Sequence, residues 1–145
     1  MTRSLAEVQQ KIEATKRIVP KLVANQTQNY FVMSFRKQGF DGRPWKEVNR
    51  RIPDTDEYKY PTKKGLSRQT RPILIGQTGQ LRRKVANSVV VASWPIVKLI
   101  VDLPYAAVHN EGSSIMPKRQ YVGQTRELTK IQGEIIEKSF SKIWK

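Results

Sequence analysis

The sequence predicts an α+β fold, and three observations carry that prediction. Apolar residues recur at three- and four-residue spacing toward both ends of the chain; residues 85–103 are rich in β-branched side chains and alternate in their second half; Gly, Pro and charged residues punctuate the stretch between. Helices, loop, strands, helix is the order of a domain in which helices pack on a small antiparallel sheet. With 145 residues and 38% hydrophobic content, a single domain over residues 1–145 with one modest core is expected.

Taken in order, Ser4 and Glu7 form a capping box, each side chain serving a free backbone N–H at a helix start. Leu5, Val8, Ile12, Thr15 and Val19 then make a narrow apolar stripe. Pro20 removes a helical hydrogen bond, which predicts a kink or a fresh helix start there. Beyond it Leu22, Val23, Gln26, Tyr30 and Met33 share one face and Phe31 and Phe35 another. The helical region 1–37 therefore has two faces to cover, both against its own core or one against another subunit. Residues 39–45 read as a turn, with Gly39, Asp41, Gly42 and Pro44 close together. Residues 52–72 combine Pro53, Pro61, Gly65 and many charges with little periodicity, which predicts a long flexible loop.

Order resumes at Leu74, with a turn at Gln77, Thr78 and Gly79 and a basic stretch at Arg82, Arg83 and Lys84. Residues 85–92 and 96–103 read as two antiparallel strands; in the second, Val97, Leu99, Val101 and Leu103 oppose Lys98 and Asp102, so one face is covered. Pro104 ends that strand, and residues 105–121 are expected to be irregular, completing a sheet-and-motif region over 74–123. A last helix over residues 125–144 carries Leu128, Ile131, Ile135, Ile136, Phe140 and Ile143; Gly133 weakens it by about 1 kcal/mol relative to Ala.

Composition narrows the chemistry. No cysteine is present, which removes disulfides, a thiol nucleophile and Cys-based metal sites. His109 is the only histidine, so no His pair exists within one subunit; beside Tyr105 and Glu111 it suits backbone hydrogen bonding better than proton transfer. Asp54, Asp56 and Glu57 are the one tight carboxylate group, and they lie in the segment with least periodicity, where a metal-dependent nuclease would need rigid elements. No phosphate-cradling Gly loop and no G-x-S-x-G elbow occurs. The expectation is a non-enzyme with no catalytic residue, no metal and no cofactor. No apolar run approaches the roughly 18 residues of a membrane span, and residues 1–10 are polar, so a cytoplasmic protein without a membrane partner is expected.

Against 27 Lys plus Arg stand 12 Asp plus Glu, a formal charge of +15, and a field of that sign favours polyanions. Residues 38–84 hold 12 basic and 5 acidic residues, whereas residues 85–125 hold 3 and 2, so the charge precedes the strands. Lys59, Lys63, Lys64, Arg68 and Arg71, with Tyr58 and Tyr60 interleaved, are the residues that would face DNA or a channel; a solvated loop accounts for them equally well.

Four segments in order carry a resemblance. Phe35 and Gln38 precede an Asp41-Gly42-x-x-Trp45 turn; Leu74 leads into Thr78-Gly79-x-Leu81-Arg82; Tyr105-Ala106-x-x-His109 is followed by Gly112; and Pro117-x-Arg119-x-Tyr121-Val122-Gly123 closes the series. Together, across residues 35–123, they resemble the bacteriophage virion morphogenesis, or tail-completion, family. The departures are the long basic insertion at 52–72 and a Tyr at 121 where Phe is more usual.

The resemblance implies a structural virion-assembly protein that completes the tail or the head-tail junction as a ring, a hexamer, around the DNA channel. Its partners would then be copies of itself, tail and connector proteins, and DNA contacted without sequence specificity, first in the host cytoplasm and then in the virion. By the same resemblance the motif residues acquire structural jobs: Gly79 and Gly112 supply positive φ or close approach, Trp45 covers the base of the sheet, Arg119 clamps carbonyls or a carboxylate between the last loop and the sheet, and Tyr105 and His109 hold the strand exit. The alternative is a basic DNA-binding module acting outside the virion.

Overall fold

The computed structural model describes residues 4–61, 69–76 and 78–145. A 33-residue helix, α1, runs over Leu5–Lys37, about 50 Å at 1.5 Å per residue. Its start is the capping box: Ser4 N donates to Glu7 Oε2 at 2.9 Å and Glu7 N to Ser4 Oγ at 3.3 Å. Pro20 lies inside this helix rather than starting a new one, buried beside Val19 on its covered side. Losing one N–H from so long a ladder is offset by that burial.

Two strands follow, β1 (Gly39–Phe40) and β2 (Arg43–Pro44), paired antiparallel with Phe40 opposite Arg43. The predicted turn is thus a tight hairpin whose two central residues, Asp41 (φ 51°) and Gly42 (φ 74°), both take the positive φ that right-handed strand twist favours. Next come a 3-10 turn at Asn49–Arg51 and a short helix, α2 (Asp56–Lys59). Thr55 Oγ1 donates to Asn49 O (2.6 Å) and Asn49 Nδ2 to Glu57 Oε1 (3.1 Å), stitching the two together. The long loop expected from 52 is therefore partly folded at its start.

Helix α3 covers Gln80–Ala86, and β3 (Val89–Ser93) and β4 (Ile96–Ile100) form the second hairpin. Val85, read as strand, is instead buried on α3 one turn after Leu81, so its spacing serves a helix. The ladder begins at Val89↔Ile100, which is why β4 stops at Ile100 and not at Leu103. Helix α4 (Ala106–Glu111) replaces irregular chain in the expected 105–121 loop. Helix α5 spans Arg126–Ser141, with Thr125 Oγ1 accepting from Leu128 N at 3.0 Å as its N-cap, a bond worth about 1 kcal/mol. The fold is α+β, helices predominating over two small antiparallel hairpins.

The chain groups into two compact units interleaved in sequence. One takes the residues up to Tyr30, Ser88–Val101 and those from Gln124; the other takes Phe31–Asn87 and Asp102–Gly123. In the first, Tyr30 pairs with Thr125 (3.0 Å) and Gln132 Nε2 donates to Thr27 Oγ1 (3.0 Å), while residues near Ile18 share a groove with Ile143. Rising numbers on α5 meet falling numbers on α1, so the two helices run antiparallel. Val19, Pro20, Ala24 and Thr27 on α1, Leu128 on α5 and Ile143 just beyond it are buried in this unit. Gln28 Nε2 donates to Ser88 O (3.1 Å) and Oγ (2.9 Å), and Trp94 packs on Phe140 with ring centroids 5.5 Å apart, which tethers both ends of β3.

Burial along α1 corrects one expectation. Leu22 and Met33 are exposed, as is Leu5, whereas Thr27, Ser34 and Phe35 are buried. The covered stripe runs through Val19, Val23, Thr27 and on to Phe35, and the face of Leu22, Gln26 and Met33 lies outside it. Among the described residues no helix is long and apolar enough to cross a membrane.

Gly133 sits within α5 with no atom within 4 Å of where a Cβ would stand. Gly133→Ala is expected to stabilise the protein by about 0.5–1 kcal/mol, through reduced entropy of the unfolded chain. Urea unfolding of the two proteins measures it; a loss of stability would mean this part of α5 is not helical.

Candidate functional site

Every motif residue singled out between Phe35 and Gly123 falls in the second unit. Its centre is aromatic. Phe35, at the end of α1, meets Trp45 edge to face at 5.7 Å and Tyr121 at 5.4 Å, and all are buried. Trp45 Nε1 donates to Gln120 O at 2.6 Å, so Trp45 closes on the 117–123 segment. Gln38 anchors the other side, donating to Ile73 O (3.3 Å) and accepting from Ile73 N.

Among the described residues the 117–123 segment has no strand partner, and it is held mainly by side chains. Tyr121 N and Val122 N both donate to Asn110 Oδ1, at 3.0 and 3.1 Å, and Ser34 Oγ donates to Tyr121 O at 3.3 Å. Tyr121 Oη donates to Ala106 O at 2.8 Å; burial, with a smaller contribution from Tyr105, pushes the phenol up to about 12. The hydroxyl that Tyr brings in place of Phe thus has a buried acceptor, on α4. Arg119 is buried as well, its Nε donating to Lys46 O (3.1 Å) and Nη2 to Glu47 O (3.5 Å). The expected clamp on carbonyls is present, and it grips the segment after Trp45 instead of a sheet. Burial works against the Arg119 charge while the nearby Glu47 supports it.

Gly112 ends α4 at φ 83°, and a Cβ there would come within 2.9 Å of Lys118 N. Both demands select glycine, and the close approach lets Arg119 N donate to His109 O at 2.9 Å. Gly79, at the start of α3, has φ 61°. Tyr105 and His109 are a T-shaped pair 5.7 Å apart, and Tyr105 Oη donates to Gln80 Oε1 at 3.1 Å, so they brace α4 and α3 rather than a strand exit. Leu81 is buried, Thr78 and Arg82 are exposed, and Pro117 and Gly123 are half-buried. His109 Nδ1 is buried without a hydrogen-bond partner; burial first, and then the charge of Arg119, lower its pKa and favour neutral imidazole.

These groups line a cavity of about 410 Å³ in the second unit, to which Arg50, Arg71, Arg119 and His109 contribute. Arg71, expected on an exposed DNA-facing loop, is half-buried there, and Arg50 Nη2 donates to Arg71 O at 3.2 Å. Lys59 is exposed and lies 3.4 Å from Asp54 Oδ1. Lys63, Lys64 and Arg68 lie outside the described residues. Of the acidic trio, Asp54 faces Lys59 and Glu57 accepts from Asn49, which lowers its pKa; among the described residues no group of His, Asp and Glu is arranged to hold a metal ion.

No family model, no curated protein and no solved structure matches this chain. The family resemblance therefore rests on the four sequence motifs alone.

Removing the buried Arg119 side chain takes the guanidinium from the Lys46 and Glu47 carbonyls and leaves its space empty, whereas Lys118 is exposed. Arg119→Ala is expected to cost about 2–4 kcal/mol and Lys118→Ala under about 0.5 kcal/mol. Thermal or urea unfolding of both variants checks the ratio, and equal small losses would refute the clamp.

Proposed function

We propose that this protein is a structural virion-assembly subunit, completing a phage tail or head-tail junction as a head-to-tail ring around the DNA channel. The observation that supports this best is the outer face of the β3–β4 hairpin. Cross-strand register places Val89, Val91, Ile96 and Ile100 on one face with Lys98, and these four apolar side chains are between 45% and 59% exposed. The opposite face, with Ala92, Val97 and Leu99, is the more covered one. A two-stranded hairpin is marginal alone, and a β-branched face in water is the kind of patch that marks an interaction surface. Exposed Ile18 and Leu22 on α1 offer a second, distinct apolar surface in the same unit. A rotational ring needs two different surfaces per subunit, each meeting its complement on a neighbour.

The family resemblance supplies the ring, its hexameric count and its place in the virion; the +15 charge suits a wall around DNA. The same charge opposes closure in solution, screened only in part at a Debye length of about 10 Å in 0.1 M salt. The ring then forms on a tail or head template. The alternative of a DNA-binding module draws on the basic loop, yet Lys59 faces Asp54 and Arg71 lines a cavity.

Val91→Glu combined with Ile96→Glu is expected to leave the melting temperature of the free subunit within a few degrees of wild type. The variant subunit is expected to be missing from purified particles, which remain unjoined heads and tails. Incorporation at the wild-type level into joined particles would remove the hairpin as a ring contact, and normal particles without this gene product would remove the assembly role itself.

A further inference from the structure

The first unit holds an apolar groove between α1 and the end of α5, about 320 Å³ in volume. Ile18, Leu22 and Ile143 wall it, and the charged residues that line it are two lysines, Lys11 and Lys142. Ile18 and Leu22 are exposed, so the groove is open to solvent. Among the described residues neither lysine is in an ion pair. Apolar walls with a positive rim suit an occupant that brings an apolar side chain together with a carboxylate.

The second unit presents both on one loop. Ile115, in the turn of residues 113–116, is 92% exposed. A lone apolar residue in water is ordinary, but the loop that carries this one is closed on itself. Ser113 N donates to Met116 O at 2.8 Å, and Ser113 Oγ accepts from Ile115 N (3.4 Å) and Met116 N (3.1 Å). The base of the loop is pinned where Arg119 N donates to His109 O at 2.9 Å. An anchor already held in place loses little entropy on docking, and one such side chain in a pocket can carry a large share of a contact. Glu111, the last residue of α4, is exposed just before the loop, and among the described residues it has no ion pair.

We infer that the Ile115 loop of one copy docks in the groove of a second copy, Ile115 entering between Ile18, Leu22 and Ile143 with Glu111 facing the lysine rim. The inference rests on the ring reading and names a pair of complementary surfaces that such a ring needs. Loop and groove differ, so each copy offers one to each of its neighbours, and contacts of that kind close by rotation. Charge chooses between the apolar occupants this chain could supply. The outer face of the β3–β4 hairpin carries Lys98 among its apolar side chains, which would bring a third ammonium to Lys11 and Lys142. Acid is scarce on the chain, 12 Asp plus Glu against 27 Lys plus Arg, and the Ile115 loop has an unpaired carboxylate beside its apolar anchor. The hairpin face is a separate surface and is not used up by this pairing.

The chain has no cysteine, so introduced thiols report alone. Ala14 lines the groove and Ser114 precedes Ile115 on the loop. Full-length subunits carrying Ala14→Cys and Ser114→Cys together are assembled into particles and treated with a short bismaleimide. A ladder of covalent oligomers longer than two is expected. Either single variant alone is expected to give no crosslinked subunits, and the two single variants mixed are expected to give dimers and nothing longer. Adding Ile115→Ser or Lys142→Glu is expected to lower the ladder about tenfold or more, through loss of the anchor or of charge complementarity, and adding Glu111→Lys to the Lys142→Glu subunit is expected to restore it. All three residues are exposed, and each variant is first checked to melt as wild type does; if one unfolds, the others carry the test. Joined particles that contain the subunit but give no ladder, a crosslink confined to single chains, dimers from one single variant alone, or a ladder indifferent to Ile115→Ser would overturn the docking and leave the assembly role standing. Particles that join normally without this gene product would remove the assembly role and the docking with it.

Discussion

Residues 117–123 cross buried and half-buried ground without joining a β-ladder among the described residues, so their backbone N–H groups need partners from elsewhere. Arg119 N finds the His109 carbonyl, and Asn110 serves Tyr121 and Val122. Its single carbonyl oxygen accepts from both Tyr121 N and Val122 N, using both lone pairs in one place. Around that junction the other groups are arranged: Tyr121 is lodged between Phe35 and the Ala106 carbonyl, Trp45 caps Gln120, and Arg119 reaches Lys46 and Glu47. Breaking the Asn110 contact would expose the cost of buried unpaired amides at once, since no sheet neighbour is there to take over.

Helix α1 contributes residues to each of the two units. Its last turns contribute Ser34 and Phe35 to the motif unit, and its earlier turns contribute Val19, Ala24 and Thr27 to the unit it builds with α5 and the β3–β4 hairpin. Functional surface is divided likewise. The motif unit holds the cavity lined by Arg50, Arg71 and Arg119, while the other presents the exposed β-branched face. On the proposed reading, one unit is the scaffold of the subunit and the other is where neighbours meet it.

Features stated by a few adjacent residues were legible in the sequence. Ser4 with Glu7 and Asp41 with Gly42 are local chemistry, fixed by residue type within one turn of chain, whereas the positive φ at Gly79 and Gly112 was implied by the motif resemblance. Helices α2, α3 and α4 escaped because they span 4, 7 and 6 residues, too few for a 3.6-residue period to show. Val85 and Leu81 carried the only trace, an i,i+4 apolar pair inside a basic run. The hairpin was read with one covered face, yet Val89, Val91, Ile96 and Ile100 make its other face apolar too, a result of register that only pairing reveals. At the site, Arg119 and Tyr121 were found through their motif. Asn110 was not, because an Asn near a helix end has many uses, and its two acceptances depend on the chain returning eleven and twelve residues later.

The account turns on Asn110 as the group that satisfies an otherwise unpaired buried backbone, and amide exchange at Tyr121 and Val122 reads that directly. In Asn110→Ala, both amides are expected to exchange far faster than in wild type, with global stability lowered by about 2–4 kcal/mol as two buried donors lose their acceptor. Unchanged protection at those two amides, together with a stability loss under about 0.5 kcal/mol, would contradict it.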